Sequence, residues 1–149
     1  MKSSRPWSRP LPPSNWPTPA PFWAWAAERY ERDPQRWLAL QAQGGNVNLA
    51  LLLAWCDEVG RRAPPLHTLE TAIAPLEALL QEFRALRRRL KPQLAASDYH
   101  ALLQHELHLE REQQARLLAA AALSESGDVA PGQALAHYQL RHAQNNPGH

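Results

Sequence analysis

The sequence predicts an all-α protein, a compact bundle of about five helices around a central apolar helix at about residues 47–59. Apolar residues recur at three- and four-residue spacing along most of the chain, which is typical of amphipathic helices. Eight consecutive apolar residues, 49–56, surround the whole circumference of one such helix. We therefore expect that helix to be buried on all sides. No segment alternates between apolar and polar residues as a β-strand would.

Proline placement divides the 149 residues into a domain and two tails. Seven of the 14 prolines fall within residues 1–21, where the composition predicts a disordered, proline-rich arm. The isolated Trp7 and Trp16 in this arm leave open that it is a docking peptide for a groove. We expect one helical domain at residues 22–123, followed by a loosely ordered tail at residues 124–149 that can hold a short helix.

The charge and cysteine content of the chain limit the partners and the cellular compartment that we expect for it. A net charge of +2 is too small to predict a polyanion partner. The single cysteine, Cys56, lies inside the apolar run, which excludes an internal disulfide. The N-terminus lacks the continuous apolar stretch of a signal peptide, and the apolar run is far short of the ~20 residues that span a bilayer. We therefore expect a soluble, cytoplasmic protein with no membrane partner.

The first helix is predicted from its apolar stripe. It begins at Phe22, because apolar residues from there to Tyr30 fall on one face at helical spacing. Trp23 and Trp25 diverge by about 200° around this helix. One of the two is therefore expected to face away from the core, under the tail or in a dimer contact.

A break at residues 33–34 opens the second helix. Asp33 suits the N-cap position, and Pro34 is tolerated at the first helical position. This helix is predicted to run to about residue 43, where Gly44 and Gly45 end it. The two glycines lack the spacing of a phosphate-binding loop, so we interpret them as a corner between helices.

Three polar residues lie at this helix corner. Asn46 is predicted to cap the central helix. Gln41 and Asn48 flank the corner, where we expect them to hydrogen-bond free backbone groups. The alternative is that these side chains bind a ligand.

The last two long helices are predicted to form an antiparallel hairpin. After a break at residues 60–65, an apolar stripe continues to residue 90. Pro75 interrupts that stripe and either kinks one long helix or starts a second. Ser97 or Asp98 can cap the final helix, which runs to about residue 123. The connection between the two helices is short enough for direct antiparallel packing.

Four charged residues are predicted to meet inside this hairpin. Glu106 and Glu110 fall within the apolar face of the last helix, although an unpaired buried charge is strongly disfavoured. Arg87 falls within the facing stripe and Arg84 at its edge. In one interpretation the four residues form ion pairs that fix helix register. In the other they line a polar pocket that holds a metal or does acid–base chemistry, but the Glu-x-x-His motifs of di-iron bundles are absent.

Other candidate sites are excluded by their surroundings. His105, His108 and Glu112 share a face with metal-compatible spacing, but this face lies opposite the apolar stripe and is expected to be solvated. Cys56 has no basic neighbour in its helical run to activate a thiolate. The basic run at residues 87–91 does not form one face, and no nucleic-acid-binding motif accompanies it. We predict no catalytic residue, metal or cofactor, and we do not expect nucleic acid as a partner.

Several short motifs resemble those of a known family. The pattern W-x-x-L-Q begins at Trp37, and G-x-x-V-N-x-x-L-L-x-x-W begins at Gly44. Together with L-R-R-R-L-K at residues 86–91 and E-L-H-L-E-R at residues 106–111, these motifs resemble an uncharacterised proteobacterial family of small all-helical proteins, a domain of unknown function. The resemblance covers about residues 22–123. It implies an all-helical cytoplasmic protein and supplies no catalytic residue, cofactor or partner.

Two functional hypotheses follow from these patterns. The first is a non-enzymatic cytoplasmic interaction or regulatory protein with a protein partner, because no nucleophile, metal or phosphate site is predicted. The alternative is a ligand- or metal-binding helical bundle, with or without enzymatic activity, that uses the Glu and Arg cluster. A homo-oligomer is compatible with either hypothesis.

Overall fold

The computed structural model describes residues 16–144. These residues form six α-helices and one 3-10 turn, Lys91–Gln93, and contain no strand. The helices are α1 (Pro19–Arg32), α2 (Pro34–Ala42), α3 (Val47–Val59), α4 (Leu66–Leu90), α5 (Ala96–Leu123) and α6 (Ala134–Gln144). The all-α bundle predicted from the sequence is confirmed. Trp7 and the rest of residues 1–15 lie outside the described part of the chain.

The α3 helix is the centre of the bundle. It packs against α1, α2, α5 and α6. Leu49, Leu52, Leu53 and Cys56 are completely buried along it. Its first turn is closed by Asn46, whose Oδ1 accepts a hydrogen bond from the backbone N–H of Leu49 at 2.8 Å. The predicted central apolar helix and its cap are therefore present.

The α1 helix begins at Pro19, three residues earlier than the apolar stripe predicts. Prolines in a first helical turn remove no intrahelical hydrogen bond, so the proline-rich composition does not prevent this extension. Of the two tryptophans of α1, Trp25 packs against the hydrophobic core, and Trp23 is not among the described residues that do so. Trp25 donates its indole N–H to Glu58 at 3.2 Å, and Trp23 lies half-buried beside α5, with the Arg111 guanidinium 4.7 Å from its ring.

The corner between α2 and α3 depends on two glycines. Gly44 has φ +93°, a left-handed conformation that favours glycine. A Cβ on Gly45 would lie 2.6 Å from the Leu40 side chain. The α2 helix starts at Pro34 as predicted, but the Asp33 side chain makes no capping hydrogen bond.

The α4 and α5 helices form the predicted antiparallel hairpin. Pro75 lies within α4, which remains a single helix of 25 residues. The cap of α5 differs from the expectation, because the helix begins at Ala96 and neither Ser97 nor Asp98 occupies the N-cap position. Asp98 instead lies in the first turn, where a negative charge interacts favourably with the helix dipole. No helix within residues 16–144 is long and apolar enough to cross a membrane.

The α6 helix packs onto the core, within residues 124–149, where the sequence predicts a loosely ordered tail that can hold a short helix. Ala134, Leu135 and Tyr138 are buried, and the helix contacts α3. Both carboxylate oxygens of Asp57 accept hydrogen bonds from the first turn of α6, at 2.9 Å from the Ala134 nitrogen and 3.1 Å from the Leu135 nitrogen. The helix is thus held by a cap from another part of the chain.

A polar cavity between helices as the candidate functional site

A cavity of about 450 Å³ lies between α1, α3, α4 and α5 and is partly open to solvent. Both sets of polar residues singled out in the sequence line it. The charged cluster contributes Arg84, Arg87, Glu106 and Glu110, and the helix corner contributes Gln41, Asn46 and Asn48. The sequence gives no sign that the two sets share one cavity, because they lie on different helices far apart in the chain.

The charged residues pair directly with one another. Arg84 bridges both carboxylates, with Nε 3.2 Å from Glu106 Oε2 and Nη2 2.9 Å from Glu110 Oε2. Arg87 Nε lies 2.5 Å from the other oxygen of Glu106. Arg87 also donates from Nη1 to the Tyr99 hydroxyl at 2.8 Å. These contacts join α4 to α5 and form one wall of the cavity.

Burial changes the acid–base behaviour of one carboxyl group in this wall. It raises the pKa of Glu110, and the adjacent Arg84 guanidinium only partly opposes this shift. Removal of a carboxylate from water disfavours its charged form, which explains the direction.

A network of amide side chains forms the floor of the cavity. Gln113, which is 1% exposed, accepts hydrogen bonds at Oε1 from Asn46 Nδ2 at 3.1 Å and from Asn48 Nδ2 at 2.9 Å. Gln113 Nε2 donates to Glu77 Oε1 at 3.0 Å. The same carboxylate oxygen accepts from Asn46 Nδ2 at 2.9 Å. Asn46 therefore binds side chains of the hairpin as well as the local backbone N–H of Leu49. Asn48 bonds groups of α5 instead of the free backbone groups of the corner that the sequence predicts for it.

Gln114 completes this floor. It is 3% exposed, and its Nε2 donates to Asn48 Oδ1 at 3.0 Å. Its Oε1 is buried and has no hydrogen-bond partner within residues 16–144. A buried acceptor without a donor is uncommon in a folded protein and calls for a specific explanation.

Sequence reasoning missed Glu77, Gln113 and Gln114. A signal was present for the two glutamines, because Gln113 follows Glu106 by seven residues and Gln114 follows Glu110 by four, which places each pair on one face of α5. Polar residues continuing the line of Glu106 and Glu110 toward the core end of the hairpin indicate a polar surface longer than the ion pairs alone. Glu77 had no comparable signal.

The other sequence candidates lie away from this cavity. His105, His108 and Glu112 are exposed. Cys56 is completely buried, and burial raises the pKa of its thiol to about 12. Within the described residues, no group of three or more His, Cys, Asp or Glu side chains is arranged to hold a metal ion.

The basic run does not form a continuous surface. Arg87 is committed to Glu106 and Tyr99 inside the hairpin, while Arg88 and Arg89 are exposed. A strip of phosphate-binding side chains would require neighbouring residues on one face. The geometry thus provides a cavity with paired charges rather than a basic patch.

Comparison with known proteins identifies the family. A family model described as "Protein of unknown function (DUF2390)" matches residues 21–117. No curated protein and no solved structure matches the chain. The matched region includes all residues of the charged cluster and of the helix corner, and it ends before α6. The chain therefore belongs to DUF2390, a family of proteins of unknown function.

Proposed function

We propose that this protein is a ligand-binding helical domain that takes up a small polar molecule in the cavity between α1, α3, α4 and α5. The observation that carries the proposal is the convergence of the charged cluster and the helix-corner residues on one cavity of about 450 Å³. This volume lies within the range of known small-molecule sites, about 300–1,000 Å³.

The free-energy cost of burying the charged cluster in the cavity wall supports this proposal. Buried ion pairs add little stability, and well-packed apolar residues of similar size are often as stable or more stable. Arg84, Arg87 and Glu106 have side chains only 11–13% exposed, so they lose most of their hydration. A ligand in the adjoining cavity that hydrogen-bonds these side chains can offset the free energy of their lost hydration.

The Ala27→Trp variant tests the proposal by filling the cavity. Ala27 lines the cavity from α1 and is itself exposed, so a larger side chain enters the open volume without displacing core residues. Ala24→Trp is the matched control, because Ala24 is exposed on the same helix and does not line the cavity.

We expect a fragment screen observed by protein NMR to give ligands that shift the amide signals of Asn48, Gln113 and Gln114. Those shifts should persist in Ala24→Trp and disappear in Ala27→Trp. Fragments that bind both variants equally, or a screen in which no fragment perturbs the cavity signals, would rule out a ligand site here.

A second candidate function is protein interaction, and exposed leucines of α4 favour it. Leu79 is 58% exposed and Leu86 is 44% exposed, although both belong to the predicted apolar face. They are seven residues apart and therefore lie on the same side of the helix. Exposed apolar side chains grouped in this way are typical of interaction surfaces.

The double variant Leu79→Glu/Leu86→Glu tests this surface, with Ala78→Glu/Ala85→Glu as the control on an exposed face of the same helix. We expect the wild type and the alanine-site control to capture a protein from native lysate, or to form a dimer that light scattering detects. The leucine variant should do neither. Equal capture by both variants would show that the interaction uses another surface.

We also propose a cytoplasmic setting, which the single, free Cys56 supports and which cell fractionation tests.

A further inference from the structure

We infer that two copies of this chain form a symmetric dimer through α4, with the two α4 helices antiparallel. This inference rests on the second candidate function above, interaction through the exposed leucines of α4, and it names a second copy as the partner. The contact surface is the α4 strip, which consists of Leu79, Phe83, Leu86 and Leu90.

The α4 strip is an apolar surface that the rest of the described chain leaves partly uncovered. Leu79 and Leu86 are 58% and 44% exposed, and Phe83 and Leu90 are partly exposed. None of the four is among the core residues of the described chain or the partly buried residues packed against them. Removing the strip from water therefore requires another layer of structure.

The α4 helix leaves room for such a layer. It packs extensively against α5 and the 3-10 turn that joins the two helices, and its other contacts within residues 16–144 are few. The side chains that face α5, including Leu80, Arg84 and Arg87, are centred about 90° around α4 from the strip. A helix of a second copy can therefore lie along the strip without displacing α5.

The spacing of the strip is that of a contact between two helices. Its residues follow one another at intervals of four, three and four, and they lie within about 60° of one another around α4. This is the heptad pattern by which one helix packs along another. Leu79 and Leu86 occupy one of the two apolar heptad positions, and Phe83 and Leu90 occupy the other.

The strip is complementary to itself when one copy is turned end to end. A two-fold axis at the middle of the strip places Leu79 opposite Leu90 of the second copy. It also places Phe83 opposite Leu86 of the second copy. In an antiparallel pair each apolar heptad position faces the other one, so all four layers of the contact are apolar.

The charges beside the strip match the same arrangement. Glu82 and Arg89 lie along one edge of the strip, both are exposed, and neither forms an ion pair within residues 16–144. The residues three and four positions away from either one carry no charge, so neither has a partner on its own helix. In the antiparallel dimer, Glu82 lies about 3 Å along the helix axis from the level of Arg89 of the second copy, within reach of both side chains.

A parallel pair lacks this match. The heptad position nearest Glu82 would then be Arg87 of the second copy, which already pairs with Glu106 of its own chain. Charge complementarity therefore favours the antiparallel dimer, in which two Glu82–Arg89 pairs form across the two-fold axis.

The dimer leaves the cavity accessible. Arg88 lines the cavity, and it lies about 170° around α4 from the middle of the strip. Ligand binding and dimerisation thus use opposite sides of α4, and each can be tested without the other.

Charge reversal in the full chain tests the dimer, which sedimentation equilibrium measures. We expect the wild type to dimerise. Glu82→Arg brings basic side chains together across the two-fold axis and Arg89→Glu brings acidic ones together, so either variant should dimerise at least about tenfold more weakly. Glu125→Arg is the matched control, because Glu125 is exposed in the segment after α5. It should dimerise as the wild type does.

The two single variants should associate with each other. When Glu82→Arg and Arg89→Glu are mixed, each pair across the contact again joins opposite charges. The double variant Glu82→Arg/Arg89→Glu restores the same pairs between identical copies. We expect the mixture to form a heterodimer and the double variant to form a homodimer, each within about threefold of the wild-type affinity. Association in the mixture also shows that both single variants are folded.

The outcomes separate this inference from the proposed functions. A wild type that is monomeric at about 1 mM overturns the inference. A dimer that both single variants retain, or monomeric single variants that do not associate when mixed, also overturns it. Interaction through the leucines of α4 then stands only if a different protein is captured and is lost with Leu79→Glu/Leu86→Glu. The ligand-binding proposal is decided by the fragment screen and the Ala27→Trp comparison, whichever result the dimer test gives.

Discussion

At the scale of single residues, Arg84 joins two helices through two carboxylates. Its Nε and Nη2 contact Glu106 and Glu110, and its side chain is 11% exposed. Glu106 has a second partner in Arg87, whereas Arg84 is the basic residue that pairs with Glu110 within the described part of the chain. Glu110 therefore depends on Arg84 for its charge balance.

Arg84→Met should destabilise the protein by about 3 kcal/mol, because it leaves the Glu110 carboxylate buried without a cationic partner. Adding Glu110→Met to this variant should restore much of the loss, because the unpaired charge is then removed as well. Urea unfolding of the wild type, both single variants and the double variant measures the coupling. Additive losses in the double variant would contradict a direct dependence of Glu110 on Arg84.

The raised pKa of Glu110 predicts a pH dependence of stability. The folded protein retains this proton to a higher pH than the unfolded chain, whose carboxyl has the ordinary value of 4.5. From pH 4.5 up to the folded pKa, the folded state binds more protons, so Glu110 makes stability fall as pH rises. The stabilising effect of the proton is complete below pH 4.5 and is lost through the folded pKa.

Glu110→Gln should remove this contribution, because the amide has no proton to lose. We expect the urea midpoint of the wild type to decline relative to that of Glu110→Gln as pH rises above 4.5. Glu125→Gln, at an exposed position in the segment after α5, serves as the control. Parallel curves for the wild type and Glu110→Gln would show that the pKa of Glu110 is not raised.

At the scale of helices, the sequence predicts those elements whose signals are local. Asn46 precedes the helix it caps, and the apolar run of α3 contains its own evidence for burial. For α6 the sequence predicts room for a short helix but not its packing, because the cap of this helix is Asp57, 77 residues earlier in the chain. Its order depends on a tertiary contact that no window of the local sequence contains.

Asp57→Ala should therefore loosen α6 while α4 and α5 keep their structure. Loss of a capping side chain costs about 1–2 kcal/mol, because two helix N–H groups lose their acceptor. Hydrogen exchange followed by mass spectrometry should show faster exchange in residues 134–144 and little change in the hairpin. Glu125→Ala is the control at an exposed carboxylate. Uniformly faster exchange in all helices would indicate that Asp57 does more than hold α6.

At the scale of the whole molecule, the periodicity of apolar residues predicts the bundle and the hairpin, and it places Arg84, Arg87, Glu106 and Glu110 together. Periodicity cannot predict the cavity, because a volume between helices depends on crossing angles and on how α1 and the helix corner approach the hairpin. For the same reason the contact of Asn46 with Glu77 and Gln113 has no sequence signal. Side-chain networks that join three elements become visible only once the elements are packed.

The folded unit also extends further along the chain than the family match and the predicted domain do. The family match ends at residue 117, and the predicted domain ends at residue 123. Leu135 and Tyr138 of α6 are nevertheless 5% and 2% exposed. The Tyr138 hydroxyl accepts a hydrogen bond from the Asn46 backbone N–H at 3.0 Å, so α6 also secures the corner that lines the cavity.

Leu135→Ala should therefore destabilise the entire protein, because a large apolar side chain is removed from a packed core. Such truncations cost about 2–5 kcal/mol. Leu140→Ala, at a position of α6 that is 58% exposed, should change stability by less than about 0.5 kcal/mol. Calorimetry should give one cooperative transition for the wild type and a lower midpoint for Leu135→Ala. If α6 were an accessory tail, Leu135→Ala and Leu140→Ala would have the same melting temperature. If α6 belongs to the core, Leu135→Ala melts at the lower temperature.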